Sequence, residues 1–392
     1  MPISQSFLRR KLGMSNKNNE SWTMFRGNTR RTGSLRTKPL SKPLLYWTIE
    51  LGPIISSPVY EGGFLYIATL TGRIFCLDIL KREIRWHQNI GSPIVSSPLI
   101  LDDMIICATF NSWINNDLFE SNSVYSLDKN DGSIIWKLQT KGDIFSSPCS
   151  VGKNIALGSM DNNLYLVSAK GEIIWKYRTK GQIWSSPSYY ENIIYFGSDD
   201  GFIYSVNSYG TLRWKSKLNG KIRSSSPCLS EDSIFIGTYE GGIYCLSNTD
   251  GIAKWNKTVS RPVLSSPLLV KDKIIFGTSD HRLYCFNLTG SKLWDFQTAG
   301  KIWSSPSTSE FDRLLFFGGL DSFIYGINFT TGRQEWKFPT MGGIDSSPCI
   351  SNGMLFIGSR DGILYCFERH RDPSYIRWDS TYRLLTYSVT LA

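Results

Sequence analysis

Short apolar runs cut by polar turns dominate the chain. One unit shows the pattern: Phe64-Leu65-Tyr66-Ile67-Ala68, a turn at Leu70-Thr71-Gly72, Ile74-Phe75-Cys76-Leu77-Asp78, another turn, then Glu83-Ile84-Arg85-Trp86. Such β-rich runs bounded by Gly, Asp and Asn predict antiparallel strands. Residues 53–60 are expected to add a short inner strand ending at Ser56-Ser57-Pro58. No stretch carries helical periodicity.

The unit repeats. Ser-Ser-Pro triplets end at Pro58, Pro98, Pro148, Pro187, Pro227, Pro267, Pro306 and Pro348, spaced 40, 50, 39, 40, 40, 39 and 42 residues apart. Trp47, Trp86, Trp136, Trp175, Trp214, Trp255, Trp294 and Trp336 keep step with them. Four strands in about 40 residues is the signature of a propeller blade. Helical arrays would need helices, and leucine-rich repeats are shorter. The expectation is an all-β, eight-bladed β-propeller of four-stranded antiparallel blades.

Trp47 precedes the first triplet, so an N-terminal strand is expected to complete the last blade, whose other strands come from residues 344–367. Tyr375-Ile376-Arg377-Trp378 competes for the same place but lacks the Gly that follows Trp47 at Gly52. The reading is a disordered basic N-terminus at 1–20, a propeller at 21–367 that includes the distinctive segment Ser21–Gly33, and a tail at 368–392 packed on the outside. The second unit has about ten extra residues around Trp113 and Phe119. Insertions in repeats map to loops, and both side chains are candidate contacts for a ligand or partner.

Composition narrows the classes. Forty-three Lys and Arg against 33 Asp and Glu give a net charge of +10, yet no recognition motif accompanies the charge, and nucleic acid is not an expected partner. The opening residues lack the apolar run of a signal peptide, and no stretch is long enough to span a membrane. The eight cysteines fall mostly on repeat-equivalent positions: Cys76, Cys245, Cys285 and Cys366 on one, Cys149, Cys228 and Cys349 on another. Buried free thiols and no export signal point to a reducing cytoplasm. With three His and no C-x-x-C, neither a metal site nor a catalytic triad can be assembled.

The Trp-x(4–5)-Gly-x-Ile-x-Ser-Ser-Pro pattern, clearest in Trp175 to Pro187, resembles the pyrroloquinoline-quinone-like (PQQ-like) propeller repeat. The Ile/Leu-Tyr-x-Leu/Val/Phe step followed by Gly and Trp resembles the tryptophan-docking motif of quinoprotein dehydrogenases. Trp22 to Asn28 resembles the lead-in of such propellers. The resemblance covers residues 22–367. It implies the fold and leaves the activity open, because the scaffold serves dehydrogenases, the outer-membrane assembly lipoprotein B, sensor domains and propellers appended to synthetases. The dehydrogenases use a Cys-Cys pair and a Glu/Asn/Asp set holding calcium, neither of which is visible here. PQQ and calcium are therefore not expected, and no cofactor is.

Function in a repeat should show where equivalent positions differ. The residue before Ser-Ser-Pro reads Ile55, Val95, Phe145, Trp184, Ser224, Leu264, Trp303 and Asp345. Unit five is one residue longer, which suggests a bulge that re-aims Arg223. Phe145, Trp184, Arg223, Trp303 and Asp345 would form an aromatic channel mouth with one cation and one anion, suited to a planar or amphiphilic ligand; the plainer reading is that they plug an axial hole. Asp161, Asp199, Asp280, Asp321 and Asp361 are read as turn residues. The expectation is a monomeric, non-catalytic binding or scaffold propeller offering loops and a channel mouth to a protein or small ligand. The alternative is an unconventional enzyme, for example of secondary metabolism, using the same mouth.

Overall fold

The computed structural model describes residues 21–41, 43–111 and 122–369. These form eight antiparallel sheets and no helix. In blade 1, β3 (Val59–Glu61), β4 (Phe64–Ala68), β5 (Arg73–Asp78) and β6 (Glu83–Asn89) pair in chain order. Blades 2 to 7 repeat this plan between residues 99 and 339. The second and third strands are buried along most of their length, while the fourth alternates between exposed and half-buried positions. The core therefore lies between blades, and the outer strand is the solvated edge.

The N-terminal strand closes the ring. β2 (Pro43–Glu50) pairs antiparallel with Ile363–Arg369, with Trp47 opposite Cys366. Blade 8 is thus built from both ends of the propeller, as expected. The competing segment around Trp378, the tail at 370–392, residues 1–20, and Trp113 and Phe119 lie outside the described residues.

One expectation needs correction. Residues 53–58 are not strand; the inner strand β3 starts after Pro58. Proline, which has no N–H, leads the strand rather than ending it. The serines serve a different purpose. The first clamps the end of the second strand: Ser56 Oγ donates to Ala68 O (2.6 Å) and accepts from Ala68 N–H (3.2 Å), and Ser265 does the same with Gly277.

The second serine links blades. Ser57 N–H donates to Ser97 Oγ (3.0 Å), Ser97 N–H to Ser147 Oγ (2.9 Å), and Ser147 N–H to Ser186 Oγ (2.9 Å). The series continues through Ser226, Ser266, Ser305 and Ser347. It then returns from Ser347 N–H to Ser57 Oγ at 2.9 Å. Eight hydrogen bonds thus close a belt around the axis, each satisfying a buried N–H for about 1 kcal/mol net.

The tryptophans stitch the periphery. Trp136 Nε1 donates to Ala169 O (2.9 Å) and Trp175 Nε1 to Ser208 O (2.9 Å), each on the following blade. The indole lies over a glycine whose φ is positive, such as Gly171 (φ 84°) beneath Trp136. At the two junctions of blade 8 the docking differs: Trp336 of blade 7 packs edge-on against Phe367 of blade 8 (5.1 Å), and Trp47 Nε1, buried on the side of blade 1, has no acceptor among the described residues.

Residues 22–37 cap one end of the channel by touching every blade in turn. Trp22 and Tyr60 exchange backbone hydrogen bonds on blade 1. The carbonyls of Thr23, Thr29, Arg30, Thr32 and Gly33 accept N–H groups from Ile100, Tyr189, Leu229, Leu269 and Thr308, on blades 2, 4, 5, 6 and 7. β1 (Ser34–Leu35) adds a fifth, parallel strand to blade 7. Arg31 Nη2 donates to Ser147 O and Pro148 O (both 3.0 Å) on blade 3. Thr37 Oγ1 accepts from Asn352 N–H (2.8 Å) on blade 8.

Two expected outcomes follow from this packing. A Cβ on Gly171 would meet the Trp136 ring at 2.7 Å, whereas one on Gly152 (φ 62°) would meet nothing within 4 Å. Gly152→Ala should cost about 1 kcal/mol of left-handed strain, and Gly171→Ala at least ~1 kcal/mol more, read as urea midpoints; equal losses would show that the indole–glycine contact is not tight. The second concerns pH. All eight cysteines are free and buried, and burial pushes the thiols of Cys76 up to about 11 and of Cys228 and Cys285 up to about 12. An unfolded thiol ionises near 9.0, so their contribution is fully present below that pH and lost as pH rises through the folded values. Melting temperature should fall progressively between pH 9 and 11.

Candidate functional site

The ends of the second strands face the turns that precede Ser-Ser-Pro, and a fixed hydrogen bond holds the two together. Leu70 N–H donates to Pro53 O (2.9 Å), Asp199 N–H to Gln182 O (2.8 Å), Tyr239 N–H to Lys221 O (2.8 Å) and Arg360 N–H to Gly343 O (3.1 Å). Each blade therefore presents two variable side chains at the mouth: the one before Ser-Ser-Pro and the one after the second strand. The second set reads Leu70, Phe110, Met160, Asp199, Tyr239, Ser279, Leu320 and Arg360.

A cavity of about 290 Å³ sits on the axis. Phe145, Trp184, Arg223, Trp303 and Asp345 all line it, together with Ile55, Val95, Ser224, Leu264 and Tyr239. Phe25, from the N-terminal cap, also lines it, so the cap and the mouth are one construction. Space remains between these side chains; they do not plug the hole.

One sector is aromatic. Phe145 and Trp184 stand 5.4 Å apart, and both meet the buried Phe110, at 5.7 and 6.0 Å. Trp184 Nε1 donates to Gln182 Oε1 (3.0 Å) and Trp303 Nε1 to Ser279 Oγ (3.2 Å), which fixes both indoles. The charged sector differs from the expected single cation and single anion. Arg223 grips Asp199 (Nη2–Oδ2 2.7 Å) while lying 5.2 Å over Trp184 and 4.9 Å over Tyr239. Asp345 is gripped through both oxygens by Arg360, at 2.6 and 2.9 Å. The mouth thus holds two ion pairs, and hydrogen bonding to the partner carboxylate raises both arginines above their usual value.

Asp199 is accordingly not one of the turn aspartates. That role belongs to Asp200, whose Oδ2 accepts from Tyr204 Oη (2.7 Å) and Lys180 N–H (3.0 Å). Asp361 repeats the arrangement with Tyr365 and Met341 N–H. Unit four carries Asp199-Asp200 after its second strand, and unit five has an extra residue after Ile222; together these bring Arg223 onto Asp199. The second variable set was the missed signal. It follows directly on the Thr, Ser or Gly that comes just after each second strand, and aligning the units on that residue would have found it.

Cofactor chemistry of the quinoprotein kind would need carboxylate oxygens open to a hard cation. Asp345, which lines the cavity, and Asp199 beside Arg223 are both engaged by guanidinium groups, and no group of three or more His, Cys, Asp or Glu that could hold a metal occurs among the described residues.

Ring, cap and axial cavity define an eight-bladed β-propeller. A family model described as the β-propeller of the beta-alanine-activating enzyme matches residues 155–344, and one described as outer membrane protein assembly factor BamB matches residues 18–147. The beta-alanine-activating enzyme of Drosophila melanogaster is 26% identical over 135 residues, 32% of this chain and 13% of that protein. That of Danio rerio is 32% identical over 91 residues, 20% and 7% respectively. The chain thus spans 13% or less of the length of these curated relatives. BamB from Moraxella catarrhalis superposes with a TM-score of 0.71 at 18% identity, covering 85% of this chain and 100% of that one. A europium-containing methanol dehydrogenase gives 0.77 at 13% identity, covering 92% and 100%. At these identities the solved structures show the fold alone. No helix among the described residues is long and apolar enough to cross a membrane.

The ion pair at the mouth has a measurable role. Arg223→Ala leaves Asp199, whose side chain is 10% exposed, without its partner, and should cost about 2 kcal/mol in a chemical denaturation series. Arg36→Ala breaks an exposed pair with Glu310 and should leave the midpoint unchanged. Equal effects would remove the special status of the mouth pair.

Proposed function

We propose that the protein is a non-catalytic binding propeller whose small-molecule site is the axial cavity. The observation that carries this reading is the contrast within each unit: the serine belt and the docking tryptophans repeat, while the side chains around the cavity differ from blade to blade and leave it open. A cavity of about 290 Å³ lies at the small end of ligand pockets and suits one compact, flat ring system. Trp184 and Phe145 would take its face, and the tethered indole of Trp303 would take an edge. The four charged side chains are spent on each other, which supports binding over acid–base catalysis. The buried free thiols support residence in a reducing compartment, the cytoplasm.

The neutral planar probe 2-naphthol tests the reading by titration against tryptophan fluorescence. Saturable binding of one probe per chain is expected, weakened at least tenfold in Trp184→Ala and unaltered in Ile252→Ala, which changes an exposed residue on an outer turn. An unsaturable response, or one that Trp184→Ala leaves intact, overturns the assignment.

A further inference from the structure

The serine belt has hydrogen-bonding capacity left over. Each second serine uses its Oγ to accept one N–H, and among the described residues none of the eight hydroxyls donates to any protein acceptor. A serine hydroxyl carries one proton to donate as well as its lone pairs. Ser57, Ser97, Ser147, Ser186, Ser305 and Ser347 line the axial cavity, and each is at least 95% buried. Six unspent donors therefore converge on one small space.

Directly against the same turns lie two positive charges that, among the described residues, no carboxylate contacts. Arg26 and Arg31 are 1% and 0% exposed. Arg26 donates to Pro306 O and Ser307 Oγ on blade 7 and to Pro267 O (2.9 Å) on blade 6. Arg31 donates to Pro187 O (3.0 Å), Ser147 O, Pro148 O and Phe25 O. All but one of these acceptors are backbone carbonyls, and the exception is a hydroxyl. Ser147 is a belt residue; Pro187 and Pro306 each follow one. Buried cations are ordinarily paired with an anion. Burial and the neighbouring Arg31 pull Arg26 down to about 9, the cost of leaving it unpaired. Arg26 Nε is also buried with no acceptor among the described residues.

We infer that the belt is an oxyanion site: the hydroxyls donate to a phosphate, sulfate or carboxylate group on the axis, and Arg26 and Arg31 supply the balancing charge from beneath. The inference rests on the reading of the cavity as a ligand site and adds its chemical class, a compact ring system bearing an oxyanion. The mouth carboxylates do not oppose this, because Asp199 and Asp345 are each neutralised by an arginine. Neutral hydroxyls backed by buried charge bind an anion without a salt bridge at the surface, so the site is weakly screened by salt.

Thermal shift and calorimetry on the full chain, with inorganic phosphate, phenyl phosphate, sulfate and acetate as probes, provide the test. Each oxyanion should raise the melting temperature saturably, and sodium chloride at matched ionic strength should not. Phenyl phosphate should bind more tightly than inorganic phosphate, by occupying ring site and belt together. Ser97→Ala should weaken phosphate about tenfold, as loss of one hydrogen bond to a charged group does, and Ser97→Thr should restore it. Should Ser97→Ala melt too early to be titrated, Ser186→Ala takes its place; the wild-type comparison with chloride needs no variant. If 2-naphthol binds but no oxyanion does, the oxyanion inference is overturned and the mouth reading survives. If neither binds, both fall. Phosphate binding that the serine variants leave unchanged also overturns the inference.

Discussion

The structure depends on a closed circle of eight hydrogen bonds in which each blade's second serine accepts the N–H of the serine before it. A linear stack of the same units would leave one donor and one acceptor orphaned at its ends. Closure from Ser347 to Ser57 removes both. The belt also sets the channel radius, because adjacent turns are held at hydrogen-bonding distance whatever side chains flank them. That rigidity lets the residues beside Ser-Ser-Pro vary in size from Ser224 to Trp303 without disturbing the ring.

Closure is completed by chain, not only by side chains. β2 supplies the outer strand of blade 8, and residues 22–37 run across all eight blades from there to blade 1. Arg26 and Arg31 act as spokes of this cap, each reaching turns on two blades. A segment that bonds to every blade couples them, so local opening of any one blade must break a cap contact as well as two belt bonds. At the junction of blades 8 and 1 the indole stitching departs from the pattern, Trp47 Nε1 having no acceptor among the described residues; there the shared blade does the holding.

Much of this was legible beforehand, for a definite reason. A propeller repeats one local solution, so alternation, turn residues and the Trp and Pro markers reported strand number, blade number and the closing strand together. The first variable set was legible too, because it sits at a fixed distance from Ser-Ser-Pro. The strand boundary was misplaced: Ser-Ser-Pro looks like a terminator, yet the serines bond sideways to other blades and the strand begins afterwards. The pairing of Arg223 with Asp199 and of Asp345 with Arg360 was not legible. Asp199 and Asp200 are adjacent, and only the backbone bond from Asp199 N–H to Gln182 O shows which of them faces the axis.

The sequence by itself determined the unit, the count and the way the ring closes, since these follow from periodicity and from strand-forming and turn-forming preferences within about 40 residues. Only the tertiary structure decided what the channel contains. The contact between Arg26 and Ser307 spans 281 residues, and no local pattern marks a buried arginine bonded to distant carbonyls. The belt's spare hydroxyls are likewise a property of the closed circle: in one unit Ser-Ser-Pro is a turn, and eight of them facing an axis make a ring of donors.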